Sequence, residues 1–414
     1  MEKKSKHEMP VDKKKQMKTG NSKKNTNNKS NVNSKNNSST KNVKNNKNSK
    51  NTKGKKSGIL KKILIVIFIL GIICCSIGLF LLYGPWSGFR DWLITTAMSS
   101  MRHQYLATWF YSDATIKECL DNNKVIEVSG VTDENIIEIV DYEEKETITY
   151  ANEYERQILE RSDDNNDYKI IKIDGGKDYS GYMAVIYDPS RVEVATSQYI
   201  GSTGQYLTTI SKNTGALVAI NAGGFLDENY QGSGANPIGI TMSKGKIISN
   251  NRYYGSMGVI GFNQENKLIL GKFSSTDLRN KMIRDASTFG PYLILNGEKS
   301  QVKGNGGWGK APRTAIGQRA DGIVLFLVLD GNRALGKGAT IKDLIDIFDR
   351  YGAVNASNLD GGTSTSMTVK GKTVNNPTNL SGGNGTRPIP SAFILKADDS
   401  DDGDYSAVKD KVEN

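Results

Sequence analysis

The longest apolar stretch of the chain is Ile63–Tyr83, a run of 21 residues without a charged side chain. About 20 apolar residues in a helix are long enough to span the hydrocarbon core of a bilayer, which is roughly 30 Å thick. A buried core helix and a cleaved signal peptide are the alternatives, but the run is long for either, and Lys61 and Lys62 directly precede it. The pattern therefore predicts one retained transmembrane helix within residues 58–83.

The pattern is less regular between residues 84 and 167. From Trp86 to Leu120 apolar side chains recur at mixed three- and four-residue spacing, which predicts helix. Trp86 and Trp92 follow the apolar run and are amphipathic side chains that favour a membrane interface. Residues 121–165 are acidic and have no steady period. We therefore predict a helical juxtamembrane region and an acidic linker over residues 84–167.

From residue 168 to 397 the chain changes to short β-type runs separated by Gly, Asn and Asp. Three short polar segments between such runs predict hairpins: Ser243–Lys246, Gln264–Asn266 and Ala320–Gly322. The predicted strands are Met183–Tyr187, Arg191–Ala195, Leu217–Asn221, Ile238–Met242, Met257–Phe262, Lys267–Gly271, Tyr292–Leu295, Arg313–Gln318, Ile323–Leu329 and Ser391–Leu395.

Two of the predicted elements carry further information. Ile323–Leu329 is apolar at every position, which predicts a central strand covered on both faces. Thr340, followed three residues later by Asp343, predicts the start of an amphipathic helix that Gly352 ends. The fold class predicted is α+β: a mixed β-sheet domain with few helices, preceded by one transmembrane helix and a disordered N-terminal tail.

The positive charge is concentrated before the membrane helix. Up to Lys62 there are 20 lysines against three carboxylates, an excess of 17, so the formal charge of +11 leaves −6 for the remainder. Residues 1–57 contain no Leu, no Ile and no aromatic residue, and such a segment is expected to be disordered. The lysine excess predicts a cytoplasmic N-terminus, with the C-terminal domain outside. Residues 398–414 read as an acidic tail, and the mildly acidic domain disfavours nucleic acid as a partner.

Missing residue types exclude several kinds of site. Residues 168–397 contain no His and no Cys, so a Ser-His-Asp triad, a Cys-His nucleophile and a histidine-rich zinc site are excluded there. Asp163, Asp164, Asp167 and Asp330 do not have the spacing of a known calcium loop. We therefore predict no metal and no cofactor, and chemistry that depends on carboxylates, guanidinium groups, hydroxyls and backbone.

Three segments have the composition of a ligand site. Asn221-Ala222-Gly223-Gly224-Phe225 follows an apolar strand, and paired glycines let backbone amides approach a ligand, although a tight turn explains them equally well. Arg313 begins a strand after a glycine-rich loop, where it can grip a phosphate or form a surface salt bridge. The third segment runs from Asn358 through Asp360, Gly361, Gly362 and Thr363 to Met367; it is either an anion-binding concavity or an Asp-Gly turn.

A second arginine, Arg387, precedes the last predicted strand in the run RPIPSAF. In this order, NAGGF, PRTAIG, NLDGGTSTSM and RPIPSAF resemble the motifs of the phosphodiester glycosidase family over residues 180–396. The family pattern usually reads NGGF and DGGGS, so Ala222 and Thr363 are departures. The resemblance implies hydrolysis of a sugar-1-phosphodiester at the glycosidic C–O bond, which releases a free sugar and a phosphomonoester.

The resemblance also implies roles for particular residues. Arg313 and Arg387 would hold the phosphate, and Asp360 would be the catalytic carboxylate, with Asp330 as second choice. Asn221, Gly223, Gly224, Asn358, Gly361, Gly362 and Thr363 would line the pocket. The predicted partners are the membrane and a glycosyl-phosphate-containing polysaccharide or glycan of the cell envelope. The alternatives are a non-catalytic carbohydrate- or wall-polymer-binding module and a glycosyl-phosphate transferase.

Overall fold

The computed structural model describes residues 53–99, 103–140, 149–161, 166–226, 232–251, 257–332, 335–378 and 385–398. Residues 1–52, 162–165 and 399–414 lie outside this set, so the predictions of a disordered N-terminal tail and an acidic C-terminal tail stay predictions. The chain divides into two units, residues 1–69 and 70–414.

The described chain contains α-helices, short 3-10 helices and many short strands. The 3-10 helices lie at Glu134–Ile136, Pro189–Arg191 and Gly362–Ser364. The α-helices are α1 (Lys53–Tyr83), α2 (Ser87–Met98), α3 (Tyr105–Thr108), α4 (Asp113–Asn122), α5 (Glu153–Leu159), α6 (Leu207–Thr214), α7 (Ser275–Asn280) and α8 (Ile341–Arg350).

One helix in the described ranges is long and apolar enough to cross a membrane: the Gly58–Tyr83 part of α1, with 26 residues. None of the side chains in this part is buried within the protein. A helix that is apolar on all sides and unburied is expected in lipid rather than in water. The helix is therefore consistent with the predicted single-pass anchor, and its orientation stays a prediction.

The region predicted as helical from Trp86 to Leu120 consists of three helices, α2, α3 and α4, which share a small core of their own. The residues that follow are not isolated from the C-terminal domain. Lys124–Ile126 pairs antiparallel with Gln301–Lys303, and Ile158 of α5 is fully buried in a core cluster of that domain. The predicted domain boundary at residue 167 stays a prediction.

The described strands pair antiparallel throughout. They are β1 (Lys124–Ile126), β2 (Tyr168–Asp174), β3 (Ser180–Ile186), β4 (Val192–Thr196), β5 (Ala216–Asn221), β6 (Phe225–Leu226), β7 (Asn236–Pro237), β8 (Gly239–Ser243), β9 (Lys246–Asn251), β10 (Gly258–Asn263), β11 (Leu268–Gly271), β12 (Ile283–Phe289), β13 (Tyr292–Leu295), β14 (Glu298–Lys299), β15 (Gln301–Lys303), β16 (Arg313–Arg319), β17 (Val324–Asp330), β18 (Ala353–Asn358), β19 (Met367–Val369), β20 (Lys372–Thr373) and β21 (Ser391–Lys396).

Three larger sheets organise these strands. The first has seven strands in the order β14-β13-β18-β16-β17-β3-β2. Two five-stranded sheets have the orders β20-β19-β5-β21-β4 and β11-β10-β12-β8-β9. The pairs β1-β15 and β6-β7 form small separate ribbons. The predicted α+β class is confirmed, as are the three predicted hairpins, which join β8 to β9, β10 to β11 and β16 to β17.

The seven-stranded sheet is covered on both faces, as predicted from the pattern of β17. Val324, Phe326 and Val328 lie in one buried cluster with side chains from both five-stranded sheets. Leu325 and Leu327 lie in a second cluster with α8 and α5. The predicted helix is also confirmed, because Thr340 and Asp343 form a reciprocal capping box at the start of α8. The ends of β5, β16 and β18 are thereby held in a fixed, buried frame.

Candidate active site

Asn221, at the end of β5, joins the three glycine-containing motifs. Its side chain is buried, and Nδ2 donates a hydrogen bond to the backbone oxygen of Asp360 at 2.5 Å. Its Oδ1 accepts from Oγ1 of Thr314 at 2.7 Å and from the amide of Ser366 at 3.2 Å. Because the amide group is both donor and acceptor, one side chain orients two loops and a strand. Asn221 therefore fixes the positions of Asp360, Thr314 and Ser366 relative to one another.

Backbone hydrogen bonds connect the same motifs. The amide of Asp360 donates to the oxygen of Ala222 at 3.0 Å, and the amide of Leu359 donates to the oxygen of Thr314 at 2.8 Å. The chain after β18 is consequently tied both to the end of β5 and to the start of β16. Motifs separated by more than a hundred residues thus converge at the place where Asp360 emerges.

The Asp360 carboxylate belongs to a three-residue cluster with Ser364 and Arg387. Its Oδ2 accepts a hydrogen bond from Oγ of Ser364 at 2.5 Å and from Nη2 of Arg387 at 3.1 Å. Nε of Arg387 also donates to Oγ of Ser364 at 2.8 Å, which closes the triangle. The Asp360 and Arg387 side chains are 15% and 26% exposed, so both reach solvent. The structure therefore brings together two of the predicted site residues and adds Ser364.

The guanidinium of Arg387 is held on a second side as well. Its Cζ lies 4.3 Å from the centre of the Phe225 ring, a distance typical of a cation–π contact. Two residues on, Ile389 forms a backbone bridge with Gln205. These contacts orient the planar group next to the NAGGF motif, with its charge close to the Asp360 carboxylate.

Arg313 has a different environment. It is 4% exposed, and its Nε donates to the oxygen of Ala339 at 3.1 Å. Its Nη2 donates to the oxygens of Trp308 and Gly309 at 2.9 and 2.7 Å. Each of these acceptors is a backbone carbonyl, so the described bonds of Arg313 tie the glycine-rich loop to the start of α8. Its predicted contact with phosphate stays a prediction.

Asp330 ends β17 and is bound by amides. Asn375 Nδ2 donates to its Oδ1 at 2.8 Å, and the backbone amide of Asn376 donates to its Oδ2 at 2.9 Å. Burial raises the pKa of Asp330 above its ordinary value, and the hydrogen bonds from Asn376 and Asn375 partly offset that rise. Asn375 also accepts from the amide of Met367, so Asp330 is coupled to the end of the Asp360 loop rather than to Asp360 itself.

The predicted glycines have packing reasons for their size. A Cβ at Gly223 would lie 2.3 Å from Oγ of Ser287, which accepts the Gly223 amide hydrogen at 3.0 Å. A Cβ at Gly224 would lie 2.8 Å from the Phe289 ring, and one at Gly361 would lie 2.8 Å from the oxygen of Pro312. Close packing against neighbouring side chains and backbone thus accounts for three of the four positions.

Gly362 needs glycine for its conformation, since its φ is +62° in the left-handed region. Its amide donates to the oxygen of Pro312 at 2.9 Å, so this N–H is directed at protein rather than at a ligand. Thr363, next along the 3-10 helix, is half-buried. Asn358 is buried; its Nδ2 donates to the oxygen of Gly290 at 2.9 Å, and its Oδ1 has no partner among the described residues.

Sequence reasoning did not single out Ser364, Phe225 or Asn375. The run of four hydroxyl residues from Thr363 to Ser366 was a signal for Ser364, but the pattern does not tell which hydroxyl meets the carboxylate. Within the described ranges, no group of three or more His, Cys, Asp and Glu side chains could hold a metal ion. A cavity of about 360 Å³ is lined by Glu127, Pro291 and Trp308 among others, and its lining includes neither Asp360 nor Arg387.

Comparison with known proteins gives a family match. Residues 214–396 match the model of the family described as phosphodiester glycosidase. A relative from Bacillus subtilis (strain 168), the SPbeta prophage-derived uncharacterized protein YomE, is 28% identical over 234 residues, or 54% of this chain. The chain spans about a third of that relative's length (35%).

Solved structures with similarity include the zebrafish N-acetylglucosamine-1-phosphodiester alpha-N-acetylglucosaminidase catalytic domain, auto-inhibited by its pro-peptide. It is 20% identical, with a TM-score of 0.47, over 56% of this chain and 83% of the other. A hypothetical protein from Synechocystis is 17% identical, with a TM-score of 0.38, over 55% and 62%. The four motifs NAGGF, PRTAIG, NLDGGTSTSM and RPIPSAF all lie inside residues 214–396, the part of this chain that matches the phosphodiester glycosidase family model.

Proposed function

We propose that this protein is a membrane-anchored hydrolase that cleaves sugar-1-phosphodiesters to a free sugar and a phosphomonoester. The observation that carries the proposal is the cluster of Asp360, Ser364 and Arg387, which joins a carboxylate and a guanidinium at the surface of the family-matched segment. A phosphodiester substrate needs both groups: one at the anomeric carbon and one at the departing phosphate.

In the proposed reaction the bond between the anomeric carbon and the bridging oxygen breaks, and its electron pair leaves with the phosphate. Water supplies the new oxygen at the anomeric carbon. Because a phosphate monoester is a good leaving group, little acid catalysis is required. Arg387 stabilises the charge that builds up on the phosphate, and one preorganised hydrogen-bond donor to such a charge is worth about 2.7–4 kcal/mol, or roughly 10²–10³-fold in rate.

Asp360 is the residue proposed to act at the anomeric carbon. Ser364 and Arg387 both donate to Oδ2, while Oδ1 accepts no hydrogen bond from the described residues. Two side chains thus orient Oδ2, and we propose that Oδ1 is the oxygen that meets the substrate. That oxygen is able to attack the anomeric carbon, to take the proton of an attacking water, or to stabilise an oxocarbenium-like centre.

The other predicted site residues receive supporting roles. Asn221 orients the Asp360 loop through its carbonyl contact, and Arg313 fixes the glycine-rich loop through three carbonyls. Asp330 remains the second-choice carboxylate and acts through Asn375 on the same loop. We propose that Gly223, Gly224, Asn358, Gly361, Gly362 and Thr363 form the wall of the pocket.

The location proposed for the reaction is the outer face of the cell membrane. The lysine excess before α1 favours a cytoplasmic N-terminus, and the apolar helix is long enough to anchor the chain. An enzyme held there meets glycosyl phosphates in cell-envelope polysaccharides and teichoic-acid-like polymers. The tether would confine hydrolysis to that layer.

Mass spectrometry of products from UDP-N-acetylglucosamine and from isolated wall polymers tests this proposal. Release of free sugar with a phosphomonoester by the wild type, and not by a folded Asp360→Asn variant, is the expected result. Binding of the polymers without turnover would contradict hydrolysis and favour a carbohydrate-binding module. Transfer of a glycosyl phosphate to an acceptor would favour a transferase instead.

A further inference from the structure

The helices α2, α3 and α4 form a small unit between the apolar helix and the C-terminal domain. Ile94, Ala97, Ala107 and Ile116 are buried together, and Cys119 completes their core. With Tyr111 this core has six buried side chains, which is modest, so the three helices depend on their neighbours for a fixed position. Two sets of contacts supply that position, one on each side.

The first set binds the unit to the last turn of α1. Tyr83 donates its hydroxyl hydrogen to the oxygen of Phe110 at 3.1 Å, and Tyr111 donates to the oxygen of Leu82 at 3.0 Å. The rings of Tyr83 and Tyr111 meet edge to face, with centroids 6.0 Å apart. Residues 105–111 therefore lie beside the point where the apolar helix ends. In a membrane-anchored protein this level corresponds to the lipid headgroups.

The surface of this segment is unusually apolar for a chain in water. Trp109 is 73% exposed, and Tyr105, Leu106 and Phe110 are also exposed. The rings of Tyr105 and Trp109 are 4.8 Å apart, so the side chains form a patch rather than single exposures. We call these four residues the aromatic patch. From His103 to Ser112 the sequence has no Lys, Arg, Asp or Glu.

Tryptophan and tyrosine are the side chains enriched at membrane–water interfaces, because they combine an apolar ring with one polar group. The same residues exposed to water on a monomer would be costly and would favour aggregation. Trp86, which follows α1 by three residues, is also exposed, at 58%. The position of the patch beside the end of α1 thus matches its chemistry.

The second set of contacts binds the unit to the glycine-rich loop of the C-terminal domain. Asn305 donates from Nδ2 to Oγ1 of Thr95 at 3.0 Å, and its amide donates to Oδ1 of Asn123 at 2.9 Å. A Cβ at Gly304 would lie 2.3 Å from that Oδ1, so the loop and α4 are closely packed. The next residues of this loop, Trp308 and Gly309, provide the carbonyls that hold Arg313.

We propose that the aromatic patch lies in the headgroup layer of the membrane that α1 spans, and that it fixes the orientation of the C-terminal domain above the bilayer. The occupant of the patch is lipid. The proposal rests on the membrane anchor of the proposed function. The connection would run from the bilayer to α2–α4, from there to the glycine-rich loop, and from that loop to the start of β16.

Tryptophan fluorescence in vesicles tests the proposal, since the chain has four tryptophans. One full-length variant keeps only Trp109 (Trp86→Phe, Trp92→Phe, Trp308→Phe), and the matched control keeps only Trp308 (Trp86→Phe, Trp92→Phe, Trp109→Phe). Both are reconstituted in phosphatidylethanolamine–phosphatidylglycerol vesicles with brominated acyl chains. We expect Trp109 to lose most of its emission to bromine and to be shielded from aqueous acrylamide, and Trp308 to keep its emission in the brominated vesicles.

The experiment distinguishes failure of the patch proposal from failure of the membrane anchor. If the protein resists carbonate extraction but Trp109 is not quenched by bromine, the anchor stands and the patch proposal is wrong. Shielding of Trp109 from acrylamide without bromine quenching would mean that protein covers the patch, which also contradicts lipid as the occupant. If carbonate releases the protein, the anchor fails, and the patch proposal fails with it; hydrolysis by the domain would be unaffected.

Discussion

The regions around Arg313 and Arg387 surround the same type of side chain with different partners. Both arginines follow glycine-containing segments; Arg313 begins β16 and Arg387 precedes β21. The sequence predicts that both hold the phosphate. Arg313 is buried against carbonyls of Trp308, Gly309 and Ala339, whereas Arg387 is partly exposed beside Asp360 and Ser364. A guanidinium can hold a fold together or meet an anion, and its burial and its acceptors distinguish the two uses.

The Asp360→Asn substitution gives the largest expected effect. It keeps the size of the side chain but removes the negative charge and the basic oxygen, so kcat should fall on the order of 10²–10⁴-fold. Steady-state kinetics on a sugar-1-phosphodiester checks this. Ser364→Ala is the companion variant, because it leaves the charge of Asp360 and removes the hydroxyl that donates to Oδ2 and accepts from Nε of Arg387. Full activity in a folded Asp360→Asn protein would remove Asp360 from the mechanism.

Arg387→Met should lower kcat/KM by about 10²–10³-fold, because it removes the cation proposed to stabilise the leaving phosphate. The melting temperature should change little, since an ion pair that is partly exposed contributes at most about 1 kcal/mol. Kinetics and thermal unfolding of the same sample measure both quantities. A large loss of stability with unchanged kcat/KM per folded molecule would mean that Arg387 stabilises the fold and does not act on the leaving phosphate.

Arg313→Met should show the opposite profile. Three carbonyls lose their charged donor, two of them in buried hydrogen bonds, so the free energy of unfolding should fall by roughly 3 kcal/mol. Urea unfolding measures the loss, and kcat/KM per folded molecule should fall less than in Arg387→Met. If Arg313→Met is stable but inactive, the comparison between the two arginines is wrong and Arg313 meets the substrate.

The difference between the surroundings of Arg313 and Arg387 could not be predicted from the sequence, for a physical reason. Which carbonyls surround Arg313 depends on the path of the loop from Gly304 to Gly309, and that path is determined by contacts with α2 and α4 far away in the chain. Local pattern was sufficient for β17 and α8, whose apolar positions are periodic and whose cap is formed by neighbours. It was also sufficient to identify Asp360 and Arg387 as candidates.

Strands with buried polar residues were harder to predict. β12 reads IRDASTF, and its Asp285 is 1% exposed because it accepts hydrogen bonds from the amides of Val194 and Lys244. β18 likewise buries Asn355 and Ser357. Burial of such groups requires partners from other strands, so no local alternation of apolar and polar residues signals it. The polar interior beneath the site is therefore a tertiary feature.

The smallest expected effect concerns pH and Asp330. Burial raises the pKa of Asp330 above its ordinary value of 3.8, so the folded protein binds this proton more tightly than the unfolded chain. The contribution of Asp330 to stability therefore falls as the pH rises from below 3.8 through the raised value. Urea unfolding of wild type and Asp330→Asn over that range should show the wild type losing stability relative to the variant. A difference that is constant with pH would contradict the raised pKa.

The central claim is cleavage of the sugar–oxygen bond at the Asp360 cluster, and hydrolysis of UDP-N-acetylglucosamine in water enriched in ¹⁸O tests it most directly. Mass spectrometry of the nucleotide product, sampled early in the reaction, shows which bond was cut. The account predicts UDP without ¹⁸O, because the entering oxygen goes to the anomeric carbon and the phosphate keeps its own. UDP that carries ¹⁸O, or UMP with sugar 1-phosphate as the products, would show attack at phosphorus and contradict it.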